Sequence, residues 1–240
     1  MAGHSRWAQV KHKKAGADAK RSALFSKLTR LITVASREGG PDPAANAKLR
    51  AAIEQARDAG LPKENIERAL ARAAGAADGE APVSREYEAY GPGGSAYLIQ
   101  VVTDSPNRTA GDLKRILADV DGKMADAGSV AWMFERRAVV SFRPAAPEGL
   151  EAATLALIDA GAIDVDADGG MLYASVAPEA AGSFERAAAE RGLAAGRTTL
   201  TMVPRTTVAL GPDDRIRAIA LADTLSSHPD VIAVSTNNHP

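Results

Sequence analysis

Apolar side chains recur at helical spacing through the first third of the chain. In the first such stretch, the residues on one face are Leu24, Leu28, Leu31, Ile32 and Ala35. This spacing is typical of an amphipathic helix and predicts one over about Ala17–Glu38. Asp42-Pro43 has the pattern of an N-cap and first helical position, so we expect a second helix there that ends at Gly60. A third helix is predicted from Pro62 to Gly75. Three amphipathic helices joined by short loops indicate a small bundle.

Beyond Pro82 the apolar positions follow the alternation of strands. The runs Arg85–Tyr90 and Ser95–Thr103 flank the glycine-rich segment Gly91–Gly94, which predicts a β-hairpin. A helix is expected over Asn107–Val120. A strand is expected over Ser129–Phe134, with Trp132, Met133 and Phe134 in the core.

A second series of elements then begins, predicted as strand Ala138–Phe142, helix Glu148–Ala160, strands Ile163–Asp166 and Met171–Val176, helix Pro178–Arg191 and strand Thr198–Val203. This is the strand-helix-strand-strand-helix-strand order of a ferredoxin-like domain. A last helix, Asp213–Leu225, and a last strand, Val231–Thr236, are too few to form a domain. We therefore expect this strand to complete the sheet that begins at Arg85.

The predicted fold class is α+β, with a three-helix N-terminal domain and two α+β domains. We expect the basic helical domain to cover residues 1–77. The second domain is discontinuous, 78–135 plus 204–240. The ferredoxin-like third domain, 136–203, is inserted into it.

Charge is distributed unevenly although the net charge is only −1. Residues 1–37 contain nine basic side chains and one acidic side chain, residues 38–75 are neutral, and residues 76–240 carry a formal charge of −9. A cationic head on an anionic body indicates a polyanionic partner, most often nucleic acid. The alternative is a solvated helix face. The candidate nucleic-acid-binding residues are Arg6, Trp7, Lys11, His12, Lys13, Lys14, Lys20, Arg21, Lys27 and Arg30, since cations suit phosphates and a flat ring suits a base.

Several long motifs resemble the signature of the YebC family, also called PmpR: AGHSRW (2–7), KHKK (11–14), REGG (37–40), PKENIERAL (62–70), YEAYGPGG (87–94), TDSPNRT (103–109), GSVAWMFER (128–136) and DVIAVSTN (230–237). The resemblance spans nearly the whole chain. It implies a three-domain protein of a family known as probable transcriptional regulators. It also implies a link to translation, because the mitochondrial relative activates translation of cytochrome oxidase subunit one and bacterial members resemble factors that relieve stalling on proline-rich sequences.

Composition excludes several classes of protein. The chain has no cysteine, so it forms no disulfide, thiolate metal site or cysteine nucleophile. No apolar run approaches the roughly 18 residues of a membrane span, and the basic N-terminus lacks the apolar segment of a secretory signal. We expect a cytoplasmic protein, and we expect it to be monomeric.

Other patterns predict no catalytic or cofactor site. Asp164, Asp166, Asp168 and Gly169 match half of a calcium-binding loop, but Ser175 occupies the position of its last ligand, so a solvated turn is expected. The segment Gly91–Gly94 lacks the Lys-Ser/Thr of a phosphate-binding loop and is expected to be a tight turn. The four histidines, His4, His12, His228 and His239, lack metal-site spacing. We predict no enzymatic activity, no metal, no cofactor, no small-molecule substrate and no membrane partner.

Asn107-Arg108 opens a helix directly after a strand and admits two interpretations. Asn107 or Ser105 would cap the helix, or the helix N-terminus and Arg108 would hold a phosphate.

Two modes of nucleic-acid binding remain open. A DNA-binding transcriptional regulator fits the family name, but no helix offers the Asn, Gln and Arg cluster that reads bases in the major groove. A translation factor that binds ribosomal RNA and the ribosome fits a lysine-rich head, because such contacts hold phosphates without specifying sequence. A protein-binding scaffold is a third class. We favour the translation factor, with the transcriptional regulator as the alternative.

Overall fold

The computed structural model describes residues 17–75, 82–144 and 149–238. The described residues divide into two compact units, one formed by 17–131 with 210–236 and the other by 132–209 with 237–238. The helices are α1 Ala17–Gly39, α2 Ala47–Asp58, α3 Lys63–Gly75, α4 Pro106–Ala118, α5 Leu150–Asp159, α6 Ala181–Glu190 and α7 Pro212–Ser227. The strands are β1 Val83–Tyr90, β2 Ala96–Thr103, β3 Lys123–Ala125, β4 Phe134–Phe142, β5 Asp164–Asp168, β6 Met171–Val176, β7 Ala195–Pro204 and β8 Val231–Thr236.

The three N-terminal helices pack around one apolar core, as their periodicity predicts, although Leu24 is 43% exposed and does not lie on the buried face of α1. The buried members of this core include Leu28, Ile32, Leu49, Ile53 and Ile66. The predicted bounds of α1 and α3 are confirmed to within one residue.

The predicted start of α2 is wrong, because Asn46, and not Asp42, is the N-cap. The Asn46 side chain accepts a hydrogen bond from Leu49 N at 3.0 Å and donates to Ala35 O at 2.7 Å and Gly40 O at 2.8 Å. It therefore ties the start of α2 to the end of α1. The Asp42 carboxylate accepts from Ala44 N at 2.9 Å, within a turn that precedes the helix.

The first unit contains an antiparallel sheet of order β3-β1-β2-β8. Helices α4 and α7 supply Leu113, Leu117, Leu221 and Leu225 to the core on one face of this sheet. Strand β2 is buried almost throughout, and α1 contacts both β2 and β8. The prediction that the last strand returns to the sheet begun at Arg85 is confirmed.

The strand predicted over Ser129–Phe134 is wrong, and its segment is instead fixed by a buried carboxylate. Glu88 accepts hydrogen bonds from the backbone amides of Gly128 at 2.6 Å, Val130 and Ala131 at 2.8 Å. Trp132, which we placed in the core, is 65% exposed. The edge of the sheet is β3, a three-residue strand too short to show an alternating pattern.

The second unit contains an antiparallel sheet of order β5-β6-β4-β7. Helices α5 and α6 pack on one face, where the rings of Phe142 and Phe184 meet edge to face at 5.8 Å. This is the predicted ferredoxin-like order, and all four strands lie in the chain between β3 and α7. The α+β fold class is thus as predicted, and the three sets of domain bounds remain a prediction.

Candidate nucleic-acid interface

One side of α1 forms an open groove with α3. Residues three or four apart lie on one side of a helix, and here α1 presents Arg21, Ser22, Phe25, Ser26, Thr29 and Arg30, while α3 presents Asn65 and Arg72. The groove has a volume of about 580 Å³. Across the described residues of its lining there are three arginines and no carboxylate. This combination of guanidinium, hydroxyl and amide groups suits a phosphate ligand.

Arg21 and Phe25 contact each other within the groove. The guanidinium carbon of Arg21 lies 5.4 Å from the centroid of the Phe25 ring, which is a cation–π contact. Phe25 is half-buried and packs against the helical core, so its position is fixed. Arg21 also reaches the turn between α2 and α3, where its Nη2 would lie 3.3 Å from a Cβ added at Gly60. An aromatic ring beside a cation is suited to a stacked base.

Asn65 is held at the α3 side of the groove by a neighbouring arginine. The Arg68 guanidinium donates to Asn65 Oδ1 and, through Nε, to Glu64 O at 3.3 Å. Arg72 lies one helical turn beyond Arg68 and is exposed.

Arg30 and Lys27, both predicted to bind nucleic acid, have partners within the protein. The Arg30 guanidinium donates to the Asp230 carboxylate and to Pro229 O at 2.6 Å. Lys27 Nζ donates to Ser226 O at 2.7 Å. Burial lowers the pKa of Lys27, and the charge of Arg30 lowers it further. These contacts attach α1 to the last turn of α7 and to the segment between α7 and β8. The predicted nucleic-acid role of the two residues stays a prediction.

Asp230 is the centre of this attachment and was not among the residues predicted from the sequence. Its carboxylate is nearly inaccessible and also accepts from Arg108 Nη2 at 3.0 Å and Thr109 Oγ1 at 2.8 Å. Burial alone would raise the pKa of Asp230, but the hydrogen bonds from Thr109, Arg108 and Arg30 lower it below its usual value. An aspartate directly before an apolar strand was the one signal, and it does not reveal partners so distant in sequence.

Arg108 has partners within the protein, and its predicted phosphate-binding role stays a prediction. It bridges Asp104 and Asp230, each at 3.0 Å. The N-cap of α4 is Ser105, which makes no side-chain capping bond, and its carbonyl accepts from Thr109 N at 3.1 Å.

The remaining predicted nucleic-acid contacts lie outside the described residues. They are Arg6, Trp7, Lys11, His12, Lys13 and Lys14, together with the side chain of Lys20. Of the predicted residues, the structure therefore brings only Arg21 and Arg30 into the groove. Phe25, Asn65 and Arg72 are additions that the sequence analysis did not contain.

The predicted glycine-rich turns are present, whereas Asp164, Asp166 and Asp168, expected in a solvated turn, lie in strand β5. Gly93 adopts a φ of 63° and packs against the start of α7, and Gly169-Gly170 form the tight β5–β6 turn at φ values of 54° and 78°. Within the described ranges, no cluster of His, Asp or Glu has the arrangement of a metal site. No helix in the described part of the chain is long and apolar enough to cross a membrane.

Comparison with known proteins gives full-length similarities. The chain is 41% identical over 237 residues to a "Probable transcriptional regulatory protein" of Fervidobacterium nodosum, covering 99% of this chain and 93% of that protein. It is 39% identical to a protein of the same description from Carboxydothermus hydrogenoformans, covering 99% and 98%. A crystal structure of a conserved hypothetical protein from Aquifex aeolicus matches with a TM-score of 0.82 at 36% identity, covering 98% of this chain and 96% of that one.

Two family models account for most of the sequence. The model for the TACO1/YebC N-terminal domain matches residues 5–76. The model for the TACO1/YebC second and third domain matches residues 83–238. Both the helices that form the groove and the two sheets thus fall within one family pattern, and the chain belongs to the TACO1/YebC family.

Proposed function

We propose that this protein is a cytoplasmic, nucleic-acid-binding regulator of gene expression that acts as a translation factor. It binds ribosomal RNA on the ribosome and relieves stalling on proline-rich sequences. The observation that carries the proposal is the α1–α3 groove, in which Arg21, Arg30 and Arg72 surround hydroxyl groups and the half-buried Phe25 ring. The relatives named as regulatory proteins support the broader assignment.

The groove favours an unpaired, irregular strand over regular duplex DNA. The Arg21–Phe25 pair offers a stacking surface, which requires a base that is free to leave its neighbours. The outward side of α3 is poorly suited to the major groove, because Glu64 and Glu67 are exposed there and Lys63 is paired with Glu67 at 3.5 Å. Carboxylates at these positions oppose the flanking phosphates.

The second candidate is a transcriptional regulator that binds DNA. It is favoured by the names of the relatives, which describe transcriptional regulatory proteins. In this case α2 and α3 would approach a duplex, and binding would depend on its sequence.

Ribosome binding across a salt titration tests the proposal. Arg21→Ala combined with Arg72→Ala removes two phosphate contacts, so the log–log salt slope should fall by about 1.4 on single-stranded RNA. Phe25→Leu keeps the apolar packing but removes the aromatic face, and it should cost about 1–3 kcal/mol in RNA affinity with little change in slope. The triple change of Lys11, Lys13 and Lys14 to alanine should lower the slope by about 2.1.

Arg186→Ala is the matched control, because Arg186 is an exposed arginine on α6 and does not line the groove. It should leave affinity and slope unchanged. Wild-type binding by the Arg21/Arg72 double variant would overturn the role of the groove. Selective loss of binding to one duplex DNA sequence, with ribosome binding retained, would establish the transcriptional alternative.

A further inference from the structure

The outer side of α5 exposes an unusual amount of aliphatic surface. Leu155 is 59% exposed, Ile158 is 50% exposed, and Ile163, at the entry to β5, is 56% exposed. Leu155 and Ile158 are three residues apart on the helix and therefore lie side by side. Isolated apolar side chains on a surface are ordinary, whereas a contiguous group marks an interaction site.

Ile163 extends this surface beyond the end of α5. By strand alternation it points to the same side of the sheet as Val165, which packs against the core that α5 covers. Its amide donates to Ser175 O at 2.8 Å, so the residue is fixed beside the sheet. The turn that joins it to α5 is closed by hydrogen bonds from Gly161 N to Ile158 O at 2.9 Å and from Ala162 N to Leu157 O at 3.0 Å.

The segment of chain that forms this surface carries charges of one sign only. Residues 149–185 contain seven acidic side chains and no lysine, arginine or histidine. Two of the acids, Glu151 and Asp159, are exposed on α5 beside these aliphatic side chains. Arg191 of α6 is a nearby cation, and it donates to Asp159 O at 3.3 Å.

We propose that the α5 face, defined as Leu155, Ile158 and Ile163 with their acidic neighbours Glu151 and Asp159, docks a basic amphipathic helix of a protein partner. The aliphatic groups would take the apolar stripe of that helix, and the carboxylates would pair with its lysines and arginines. Nucleic acid is disfavoured because seven acids repel phosphates. A second copy of this face is disfavoured because two such surfaces would oppose like charges.

The probe is a synthetic helical peptide with leucines at i, i+3, i+4 and i+7 and lysines elsewhere, measured against the full chain by fluorescence anisotropy. The double substitution Leu155→Gln and Ile158→Gln should weaken peptide affinity at least about tenfold, because two apolar contacts are lost. Glutamine is a good helix former, so α5 itself should be preserved. Replacing Glu151 and Asp159 by their amides should weaken binding and reduce its salt dependence. Ile216→Gln is the matched control, because Ile216 is 68% exposed on α7 and should not matter.

A scrambled peptide of the same composition separates docking from simple charge attraction. It should bind at least about tenfold more weakly than the helical peptide, and equal binding would overturn the proposal. Unchanged affinity in the Leu155/Ile158 variant would overturn it as well. Sedimentation equilibrium of the wild type checks for a second copy, and concentration-dependent association that the same variant abolishes would replace the peptide partner with self-association.

A photoreactive leucine in the peptide supplies a test that requires no variant. Cross-links to α5 or to the start of β5 support the docking site, and cross-links confined to other elements contradict it. Both experiments omit nucleic acid and leave the α1–α3 groove unchanged, so their failure would not affect the proposed translational role.

Discussion

Single buried carboxylates hold distant parts of this chain together. Asp230 accepts from Arg30, Arg108 and Thr109, which belong to elements more than a hundred residues away in sequence. Asp230→Ala removes the charge that these donors share, and we expect a loss of about 2–3 kcal/mol in the free energy of unfolding. Breaking a fully buried pair costs about 3–5 kcal/mol, and the smaller value reflects arginines that retain access to water. Urea denaturation at neutral pH measures it.

The control for this prediction lies on the same arginine. Asp104 also pairs with Arg108 at 3.0 Å, but its side chain is 60% exposed whereas that of Asp230 is 2% exposed. Asp104→Ala should cost under about 1 kcal/mol, because exposed ion pairs contribute little. Equal effects of the two substitutions would show that burial is not the reason for the importance of Asp230.

The pKa of Glu88 predicts how the stability of the protein changes at acid pH. Burial raises its pKa, but hydrogen bonds from the amides of Gly128, Val130 and Ala131 outweigh this and lower the pKa below its usual value. A depressed folded-state pKa contributes stability that is fully present above the unfolded-state value of about 4.3 and is lost as pH falls through the folded-state pKa. The free energy of unfolding should therefore decrease below about pH 4.3.

Glu88→Gln tests this origin of the pH dependence. The variant should be less stable at neutral pH by about 2 kcal/mol, because a neutral amide accepts the three backbone bonds poorly. The decrease of its free energy of unfolding at acid pH should be shallower than that of the wild type. Glu86 is exposed, and the control variant Glu86→Gln should behave like the wild type. An unchanged decline in Glu88→Gln would assign the acid sensitivity to other carboxylates.

At the scale of elements, the turn between β1 and β2 is fitted to α7. A Cβ added at Gly93 would lie 2.6 Å from Leu210 Cδ2 and 3.1 Å from Asp214 Oδ2, whereas at Gly94 it would meet nothing within 4 Å. Both glycines have positive φ, 63° and 76°. Gly94→Ala should therefore lower the free energy of unfolding by about 1–2 kcal/mol, the strain of a non-glycine residue in the left-handed conformation.

Gly93→Ala should cost about 1 kcal/mol more than Gly94→Ala, because overpacking against α7 is added to the same strain. Thermal unfolding of the two variants in parallel measures the difference. Equal destabilisation would mean that α7 moves away from the turn without cost, and the close fit would then have no energetic role.

At the scale of the whole molecule, the core of the second sheet is self-contained. Its buried residues, which include Val140, Phe142, Leu157, Leu172 and Phe184, lie within one continuous segment. We propose on this basis that the ferredoxin-like segment is a domain inserted into a discontinuous second domain. The fragment 132–209 should fold cooperatively with a free energy of unfolding of about 3–5 kcal/mol, as expected for a single small core.

The remainder, with residues 131 and 210 joined by a flexible glycine–serine linker, should also fold, because β8 still pairs with β2 in it. Circular dichroism and urea denaturation of the fragment and of the joined remainder check both expectations. A fragment and a remainder that are each unfolded alone would show that the two sheets depend on each other for stability.

The sequence by itself determined the features that depend on neighbouring residues. The helical periodicity of Ile66 and Ala69, the alternation in Met171–Val176 and the stop at Gly75 are local signals, and the elements they predict are present. The strand and helix order of the second sheet followed from these elements, because few topologies are compatible with that order. The cationic head is likewise a property of composition.

Tertiary structure alone decided which side chains meet. The local sequence around Arg30 indicates a cation on an exposed helix face, and only folding brings Asp230 from 200 positions away to bind it. Phe25 was not singled out by the sequence, and only the packing of α3 against α1 places it in one groove with Asn65 and Arg72. Strand β3 is too short to show an alternating apolar pattern, and it forms because its backbone pairs with the edge of β1. These contacts join residues remote in sequence, and local periodicity contains no information about such pairs.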